Sequence, residues 1–367
     1  MSPRPLSAVV LAAGQGTRMR SSRPKPLHRL CGRPLVLHVL DALAELTIQR
    51  AVVVVGHGAE RVTKALLEQA PGGFDIEFVE QHVQRGTGDA ASVALTGLSD
   101  TGQDDDEDGD VIVLPGDTPL LRPPTLAALV RHHRSTNAAC TLLTASIEEP
   151  AGYGRVMRDK NGRVSRIVED VEAADEIEIK EVNTSIYVFR RSVLAPSLRR
   201  LSPENAQGEY YLTDVVGVLH DAGYTVSALK VPDASEAAGV NDRAQLATAE
   251  AELRDRINER WMRRGVTMLD PERTYIDTTV VLDRDVTLYP GTMLQGSTTV
   301  ATGAEIGPDT RLIDCTVGEA SVVEHTVGRQ ATIGRGATVG PYAVLHPGSS
   351  VAAYTVTGSH LSIAADT

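Results

Sequence analysis

Residues 9–28, VVLAAGQGTRMRSSRPKPLH, join a buried strand to a glycine loop and decide how the amino-terminal part of the chain folds. The apolar run at 8–13 predicts a buried strand. In the loop that follows, Gly14 and Gly16 allow a tight turn that exposes consecutive amide hydrogens. Arg18 and Lys25 lie just beyond this turn. A strand end, an amide-lined loop and two cations in this order predict a site for the phosphates of a nucleoside triphosphate.

The wider sequence around this loop narrows the class of nucleotide-binding protein. A Gly-x-Gly turn after a strand also occurs in α/β proteins that bind no nucleotide. The loop lacks the Gly-Lys-Ser/Thr of a P-loop and the third glycine of a dinucleotide fold, which argues against a kinase or a dehydrogenase. Residues 14–19, GQGTRM, together with KPLH at 25–28, resemble the signature of sugar-1-phosphate nucleotidylyltransferases. The KPLH ending is most similar to the branch that acts on N-acetylglucosamine 1-phosphate.

Composition limits what the rest of the molecule can be. The 367 residues suffice for two domains, no apolar run is long enough to span a membrane, and the amino terminus lacks the apolar segment of a secretory signal. Three dispersed cysteines fit neither a disulfide framework nor a zinc site, so we expect a reducing cytoplasm. The net charge of −12 argues against a nucleic-acid partner. We expect the acidic run at 104–110 to be a solvated loop rather than a metal cluster.

Apolar runs that alternate with helical patterns predict the fold of the first two thirds of the chain. Buried strands are expected at 51–55, 76–79, 111–114 and 140–147, and a helix at 34–46. Such alternation implies a mostly parallel sheet covered on both faces, which is a Rossmann-like α/β fold. We expect this nucleotidyltransferase domain to span residues 1–242. A polar connector helix should follow at 243–266, with Trp261 serving packing.

Polar residues at two strand ends predict where ligands bind. Gln81 follows the third strand, and a glutamine amide can bond the imide edge of uracil or thymine, while Gly86 allows the backbone to approach a planar base. Asp117 follows the fourth strand, at the sheet edge where ligands bind in open α/β folds. Its carboxylate could hold Mg²⁺ against triphosphate oxygens or, taken without context, could cap a helix. Asp89 is also a plausible first-turn carboxylate.

The family resemblance implies a role for each site residue. It implies catalysis by Arg18 and Lys25, a Mg²⁺ site at Asp117 and Asn241, nucleotide contacts from Leu11, Ala12, Ala13, Gly14, Gln81, Gly86, Thr87 and Gly116, and sugar contacts from Gly154, Glu169, Asn183 and Asn241. A run at 205–214, NAQGEYYLTD, also resembles the family and is expected to shape the pocket floor, although Thr213 or Asp214 could simply cap a helix.

Three positions depart from the family pattern. Asp89 stands where the branch usually has histidine, Pro115 where a hydroxyl residue is more common, and Ser185 where a glycine or small residue is expected after Asn183-Thr184. Glu169 is also followed by Asp170-Val171. This departure and the one at Ser185 affect the sugar assignment more than the reaction assignment, whereas Pro115 bears on a sugar-side contact and Asp89 alters the start of a helix.

From residue 276 the chain changes to a repeat of six residues. Aliphatic side chains recur at this interval from Ile276 to Leu312, the spacing slips at 317–327, and it resumes from Ile333 to Val351. This period predicts a β-helix over residues 267–367. The resemblance implies that it is left-handed and forms a homotrimer. The family's lysine and histidine-tyrosine acetyl-transfer motifs have no counterpart before Thr367, so we predict no acetyltransferase activity.

Together these features predict Mg²⁺-dependent transfer of UMP from UTP to N-acetylglucosamine 1-phosphate. Two alternatives remain at the level of sequence. One is the same reaction with another sugar 1-phosphate or with dTTP, and the other is a catalytically silent trimeric scaffold or regulatory subunit.

Overall fold

The computed structural model describes residues 4–98, 109–173 and 178–365, and the chain divides into two compact units. The first unit comprises residues 1–28 and 34–245, and the second comprises residues 29–33 and 246–367. The predicted domain boundary at residue 242 and the predicted limits of the connector stay predictions. Of the acidic run, residues 104–108 lie outside the described residues.

The first unit is built on a nine-stranded sheet. In chain order its strands are β1 (Leu6–Leu11), β2 (Arg50–Val55), β3 (Asp75–Glu80), β4 (Asp110–Pro115), β5 (Cys140–Ser146), β6 (Arg155–Arg158), β7 (Val164–Val168), β8 (Glu181–Arg190) and β9 (Val226–Lys230). The spatial order is β9-β5-β8-β4-β1-β2-β3, with β6 paired to β8 and β7 paired to β6. Strand β8 runs antiparallel to β4 and β5, whereas β1 is parallel to β2 and β4. The predicted Rossmann-like, mostly parallel sheet is confirmed.

Helices cover both faces of this sheet. They are α1 (Leu35–Ala44), α2 (Ala59–Gln69), α3 (Thr87–Leu98), α4 (Pro123–Ser135), α5 (Arg191–Leu198) and α6 (Asp214–Asp221), followed by α7 (Arg243–Arg263). In β1, Val10 packs in the core with α1, α2 and α4, while its neighbour Val9 packs in the core with α3, α5 and α6. Because successive side chains point to opposite faces, a strand covered on both faces is apolar at nearly every position, and Ser7 is the one polar residue of β1.

Short elements complete the first unit and its connections. Single 3₁₀ turns lie at Thr17–Met19, Lys25–Leu27, Asp170–Glu172, Ala234–Ala237 and Pro271–Arg273, and a two-stranded pair forms between Arg29–Leu30 and Arg33–Pro34. The two turns at Thr17–Met19 and Lys25–Leu27 follow the glycine loop and carry Arg18 and Lys25.

The prediction of a solvated loop is wrong for Asp110. This residue begins β4, and its side chain is fully buried. Arg134 Nε lies 2.7 Å and Arg4 Nε 3.4 Å from its carboxylate, and His133 Nε2 lies 3.5 Å away. Burial alone raises the pKa of Asp110, but the contacts from His133, Arg134 and Arg4 outweigh burial and hold the pKa below its usual range. Helix α4 supplies two of these partners, which a run of acidic letters could not show.

The second unit carries a left-handed β-helix of short parallel strands, as predicted. Its first face contains Thr267–Met268, Thr287–Leu288, Glu305–Ile306, Val322–Val323 and Thr338–Val339. Its second face contains Tyr275–Ile276, Met293–Gln295, Arg311–Ile313, Val327–Arg329, Val344–Leu345 and Ser362–Ile363. Its third face contains Val281–Leu282, Thr299–Val300, Thr316–Val317, Thr332–Ile333 and Ser350–Val351.

The slip in the six-residue repeat arises because three intervals between stacked inward residues are five positions long instead of six, namely Leu312 to Val317, Val323 to Gly328 and Gly328 to Ile333. One of these inward residues, in the second face, is also a glycine. Gly328 pairs with Leu312 below it and with Leu345 above it, so a glycine occupies a position that an aliphatic residue fills in the neighbouring coils. A Cβ atom at Gly328 would lie 2.9 Å from Leu312 Cδ2 and 3.3 Å from Cys315 Sγ. The side chains of the adjacent coil therefore already fill the space that a larger residue would need.

All three cysteines are free and buried. Cys140 lies in β5, inside the core on the α3 side of the sheet, and Cys31 and Cys315 lie in the core of the second unit. Burial raises the pKa of each thiol. Trp261 also packs in the core of the second unit, as predicted. In the described ranges no helix combines the length and the apolar character needed to cross a membrane.

Candidate active site

The glycine loop begins where β1 ends, beside the end of β4. Leu11 pairs with Pro115, and the carbonyl of Leu11 accepts a hydrogen bond of 2.9 Å from the Gly116 amide. Strand β1 has β2 on one side and β4 on the other, so the loop lies at the point where the strand order reverses. Ligands of open α/β sheets bind at such a point. On the other side of β1, the Ala12 amide donates to Val54 and the Ala13 carbonyl accepts from His57.

Gly16 is required by the path of this loop. Its φ of 63° is left-handed, and a Cβ atom there would lie 2.6 Å from Lys25 Cβ. The loop therefore packs directly against the side chain of Lys25, while Gly14 stays exposed. The packing of Gly16 against Lys25 therefore places the lysine side chain next to the exposed glycine turn.

Four predicted residues from distant parts of the chain meet here. Lys25 Nζ forms an ion pair with the Asp117 carboxylate and donates to Asn241 Oδ1 at 2.8 Å. Arg18 donates to the same Asn241 oxygen at 3.0 Å. The Val240 amide donates to the Asp117 carbonyl at 2.9 Å and so fixes the segment of Asn241 against the loop after β4. The structure therefore brings together Arg18, Lys25, Asp117 and Asn241.

These contacts test whether a divalent ion fits. The Lys25 ammonium is in contact with Asp117 and Asn241 at once, so it stands in for a cation held by both oxygens. One carboxylate and one amide oxygen are the hard donors that Mg²⁺ takes when phosphates and water complete its shell. The alternative role of Asp117 as a helix cap is wrong, because α4 begins after Arg122.

A second group surrounds Gln81, which is almost fully buried at the end of β3. Gln81 Nε2 donates to Asp89 Oδ2 at 2.7 Å and to the Gly86 carbonyl at 3.2 Å. Gly86 has a φ of 104°, and a Cβ atom there would lie 2.5 Å from the Tyr210 carbonyl. Thr87 Oγ1 accepts from the Leu212 amide at 3.0 Å. The 205–214 run therefore packs against the loop that contains Gly86 and Thr87.

The predicted sugar residues form a third group. The backbone N–H of Asn183 donates to the Gly154 carbonyl at 2.8 Å. A Cβ atom at Gly154 would lie 3.5 Å from Glu169 Oε2. Thr213 donates its hydroxyl to Glu169 Oε1 at 2.7 Å. The Asn183 side chain donates to Tyr187 Oη at 2.7 Å. The structure thus places Gly154, Glu169 and Asn183 next to one another.

The sequence did not reveal two of these side-chain partners. Thr213 lies in the run expected to shape the pocket floor, with a helix cap as the alternative. It precedes α6, but its hydroxyl makes no capping bond and binds Glu169 instead. Tyr187 carried no signal, because an aromatic residue in a buried strand is ordinary core. Burial raises the pKa of Glu169 and the charges of Asp214 and other nearby acids raise it further, while the Thr213 hydroxyl lowers it.

The departure at Ser185 matches a local change of conformation. Ser185 has a φ of 62°, and the pairing of β8 with β5 shifts register between Asn183 and Tyr187. The Ser185 amide donates to Asn183 Oδ1 at 3.2 Å. A glycine would adopt this left-handed conformation without strain, so serine keeps the shape of the strand at a small cost.

The charge of Asp117 acts on the residue before Gly154. Burial raises the pKa of Tyr153, and the charge of Asp117 raises it further, so the residue before Gly154 lies within the field of the Asp117 carboxylate. Among the described residues no hydrogen bond joins the Gln81 group directly to Asp117 or Glu169. The structure therefore gathers the predicted phosphate, base and sugar residues into three clusters.

Comparison with known proteins identifies the class to which the chain belongs. A profile of the MobA-like NTP transferase domain matches residues 8–212, which defines the class as nucleotidyltransferase. The Bifunctional protein GlmU of Geobacillus sp. (strain WCH70) is 43% identical over 345 residues, which are 94% of this chain and 72% of that protein. GlmU of Desulfitobacterium hafniense (strain DSM 10664 / DCB-2) is 46% identical over 94% of this chain and 73% of its own length.

A third relative, GlmU of Thermobifida fusca (strain YX), is 47% identical over 90% of this chain and 68% of that protein. The chain therefore belongs to the GlmU family and is a sugar-1-phosphate nucleotidylyltransferase. The chain spans about 70% of the length of these relatives.

Proposed function

We propose that this protein transfers UMP from UTP to N-acetylglucosamine 1-phosphate in a Mg²⁺-dependent reaction that yields UDP-N-acetylglucosamine and pyrophosphate. The observation that carries the proposal is the meeting of Arg18 and Lys25 with Asp117 and Asn241 at the end of β1. Two cations beside a carboxylate and an amide oxygen suit a triphosphate that arrives with a divalent ion.

The bond changes in this reaction need no protein base. A phosphate oxygen of the sugar phosphate attacks the α-phosphorus of UTP, a P–O bond forms, and the bond to the β-phosphate oxygen breaks to release pyrophosphate. The attacking phosphate has a second pKa of about 6, so it is largely ionised near neutral pH. Positioning and neutralisation of charge are therefore the main tasks of the protein.

Each group of residues has a task in this scheme. Asp117 and Asn241 would hold Mg²⁺, which neutralises charge between the reacting phosphates when bound. Lys25 and Arg18 would then pair with phosphate oxygens and stabilise the charge that grows on the leaving pyrophosphate. Glu169 would accept hydrogen bonds from sugar hydroxyls, and Asn183 would bond the sugar, with the Gly154 backbone beside them.

The base and the remaining nucleotide contacts complete the proposal. Gln81 and the backbone at Gly86 and Thr87 would hold the uracil. The other proposed nucleotide contacts come from Leu11, Ala12, Ala13, Gly14 and Gly116, which line the adjoining ends of β1 and β4.

The first prediction concerns the cation cluster. Asp117→Ala and Lys25→Ala are each expected to lower kcat/KM for pyrophosphate release about 100-fold or more. The first removes a ligand of the divalent ion, and the second removes a cation that pairs with the reacting phosphates. Asp75→Ala and Lys64→Ala, which change exposed residues of β3 and α2, serve as matched controls and should keep the wild-type rate. Near-full pyrophosphate release by either site variant would refute the proposal.

A different sugar phosphate or dTTP is the nearest alternative. Thymine and uracil share the imide edge that Gln81 would meet, and Pro115 replaces a residue with a hydroxyl. Pyrophosphate release should therefore be measured with a panel of sugar 1-phosphates crossed with UTP and dTTP. The proposal requires the combination of UTP and N-acetylglucosamine 1-phosphate to have the highest kcat/KM. Absence of any Mg²⁺-dependent UTP binding in calorimetry would favour a silent scaffold instead.

We also propose that the protein is a homotrimer in the cytoplasm and associates through the second β-helix face. Four outward positions of this face, Tyr275, Met293, Val327 and Val344, are exposed apolar side chains, and one exposed arginine, Arg311, lies between Met293 and Val327. On the first face the matching outward positions are mostly Thr and Glu, and on the third they are mostly Thr and Ser. An apolar column of this kind favours burial against another protein surface.

A further inference from the structure

We propose that Asp89 determines base selectivity by fixing the orientation of the Gln81 side-chain amide, an inference that rests on the proposed function. Gln81 is 4% exposed, and its Nε2 atom lies 2.7 Å from Asp89 Oδ2 and 3.2 Å from the Gly86 carbonyl oxygen. Asp89 is a positioning residue in this proposal and does not itself touch the base.

The chemistry of the two partners settles which end of the amide faces them. An ionised carboxylate and a backbone carbonyl can only accept hydrogen bonds, so the NH₂ group of Gln81 must face both. Both N–H groups of the Gln81 side chain then have an acceptor within the protein. A flipped amide would place its oxygen against two other acceptors in a buried position, which is strongly unfavourable.

The orientation leaves one atom for the ligand. Among the described residues, none donates a hydrogen bond to Gln81 Oε1. A fixed acceptor at this point pairs with the N3–H group of uracil or thymine. Cytosine presents a lone pair at N3, so an acceptor would face an acceptor. Asp89 would therefore favour UTP over CTP through an atom that it does not contact.

A second role for Asp89 has to be separated from this one. Asp89 lies in the first turn of α3, where a carboxylate stabilises a helix through its dipole. That role would change stability and would affect every nucleotide alike. Only the positioning role predicts a change in the ratio of activities with two bases.

The experiment compares kcat/KM for UTP and CTP in the full chain. Asp89→Asn should lower the preference for UTP about tenfold, because an asparagine can donate to Gln81 Oε1 and so permits the flipped amide. Asp89→Glu restores the carboxylate and should recover most of the preference. Glu60→Gln removes a first-turn carboxylate from α2 and should leave the ratio at the wild-type value.

Three results would contradict the inference or its premise. A parallel fall with UTP and CTP in Asp89→Asn, at a constant ratio, would overturn the positioning role and leave only helix stabilisation. Equal use of UTP and CTP by the wild type would also overturn it. A wild type that turns over no UTP would refute the proposed function, and the UTP to CTP ratio would then be taken from calorimetric binding, in which an unchanged ratio again overturns the inference.

Discussion

Glu169 shows how a single residue in the sugar group depends on its neighbours. Burial and nearby acids raise the pKa of its carboxyl group, and the hydroxyl of Thr213 works against them. An ionised carboxylate accepts charge-assisted hydrogen bonds from sugar hydroxyls, whereas a protonated one loses that charge. Sugar affinity should therefore fall as the pH falls through the raised pKa of Glu169.

The pH prediction uses the Thr213→Val variant. Removal of the hydroxyl takes away the contact that lowers the pKa of Glu169, so the rise in KM for the sugar phosphate should begin at a higher pH than in the wild type. KM would be measured between about pH 5 and pH 8, a range that brackets the second phosphate pKa of about 6 common to both proteins. Thr63→Val in α2 is the matched control. Superimposable pH profiles for the wild type and Thr213→Val would contradict this account.

At the scale of single residues, the sequence indicates which residues form the site better than it indicates their hydrogen-bond partners. Lys25 and Asp117 lie in compact motifs at strand ends, so their chemistry could be read from the chain. The contact of Thr213 with Glu169 joins residues that are 44 positions apart, and the bond of Asn183 to Tyr187 depends on the register shift inside β8. Neither follows from spacing alone, since the first requires the packed positions of two elements and the second requires a distortion within one strand.

At the scale of elements, the β-helix shows both the strength and the limit of a periodic pattern. The six-residue repeat predicted the stacked strands, but the slip at 317–327 did not reveal which intervals had shortened to five residues or that a glycine occupies one inward position. The structure places Gly328 in the second face, between Leu312 and Leu345. A break in a repeat shows that a residue is missing from the period, and only the stacked coils show where.

The element-scale prediction concerns this glycine. Gly328→Val should lower the free energy of unfolding by about 1–3 kcal/mol, because its side chain would overlap Leu312 and Cys315. Gly72→Val is the matched control, since a Cβ atom at that glycine has no neighbour within 4 Å and its backbone, like that of Gly328, is not left-handed. Urea denaturation of both variants measures the difference. Equal loss at the two positions would show that crowding by the neighbouring coil does not decide the cost.

At the scale of the whole molecule, the proposed trimer depends on the exposed apolar column of the second face. The double variant Val327→Asp, Val344→Asp places two carboxylates on this column and should convert the assembly to monomers, because burial of an unpaired charge is unfavourable. Light scattering coupled to size-exclusion chromatography would report the mass.

The control for this prediction is the pair Thr299→Asp and Thr316→Asp, which lie at exposed outward positions of the third face. These changes should leave the mass unchanged. A trimer that persists in the second-face variant, or one that dissociates in the third-face variant, would place the interface elsewhere.

The three buried thiols give the molecule built-in reporters of motion. Only a thiolate reacts quickly with an alkylating reagent, and burial keeps each thiol protonated and out of reach. Labelling can then proceed only while the surrounding core is transiently open. The rate of Cys140 modification would report how often the central sheet opens, and the rate of Cys315 modification would report how often the coils open, without an engineered cysteine.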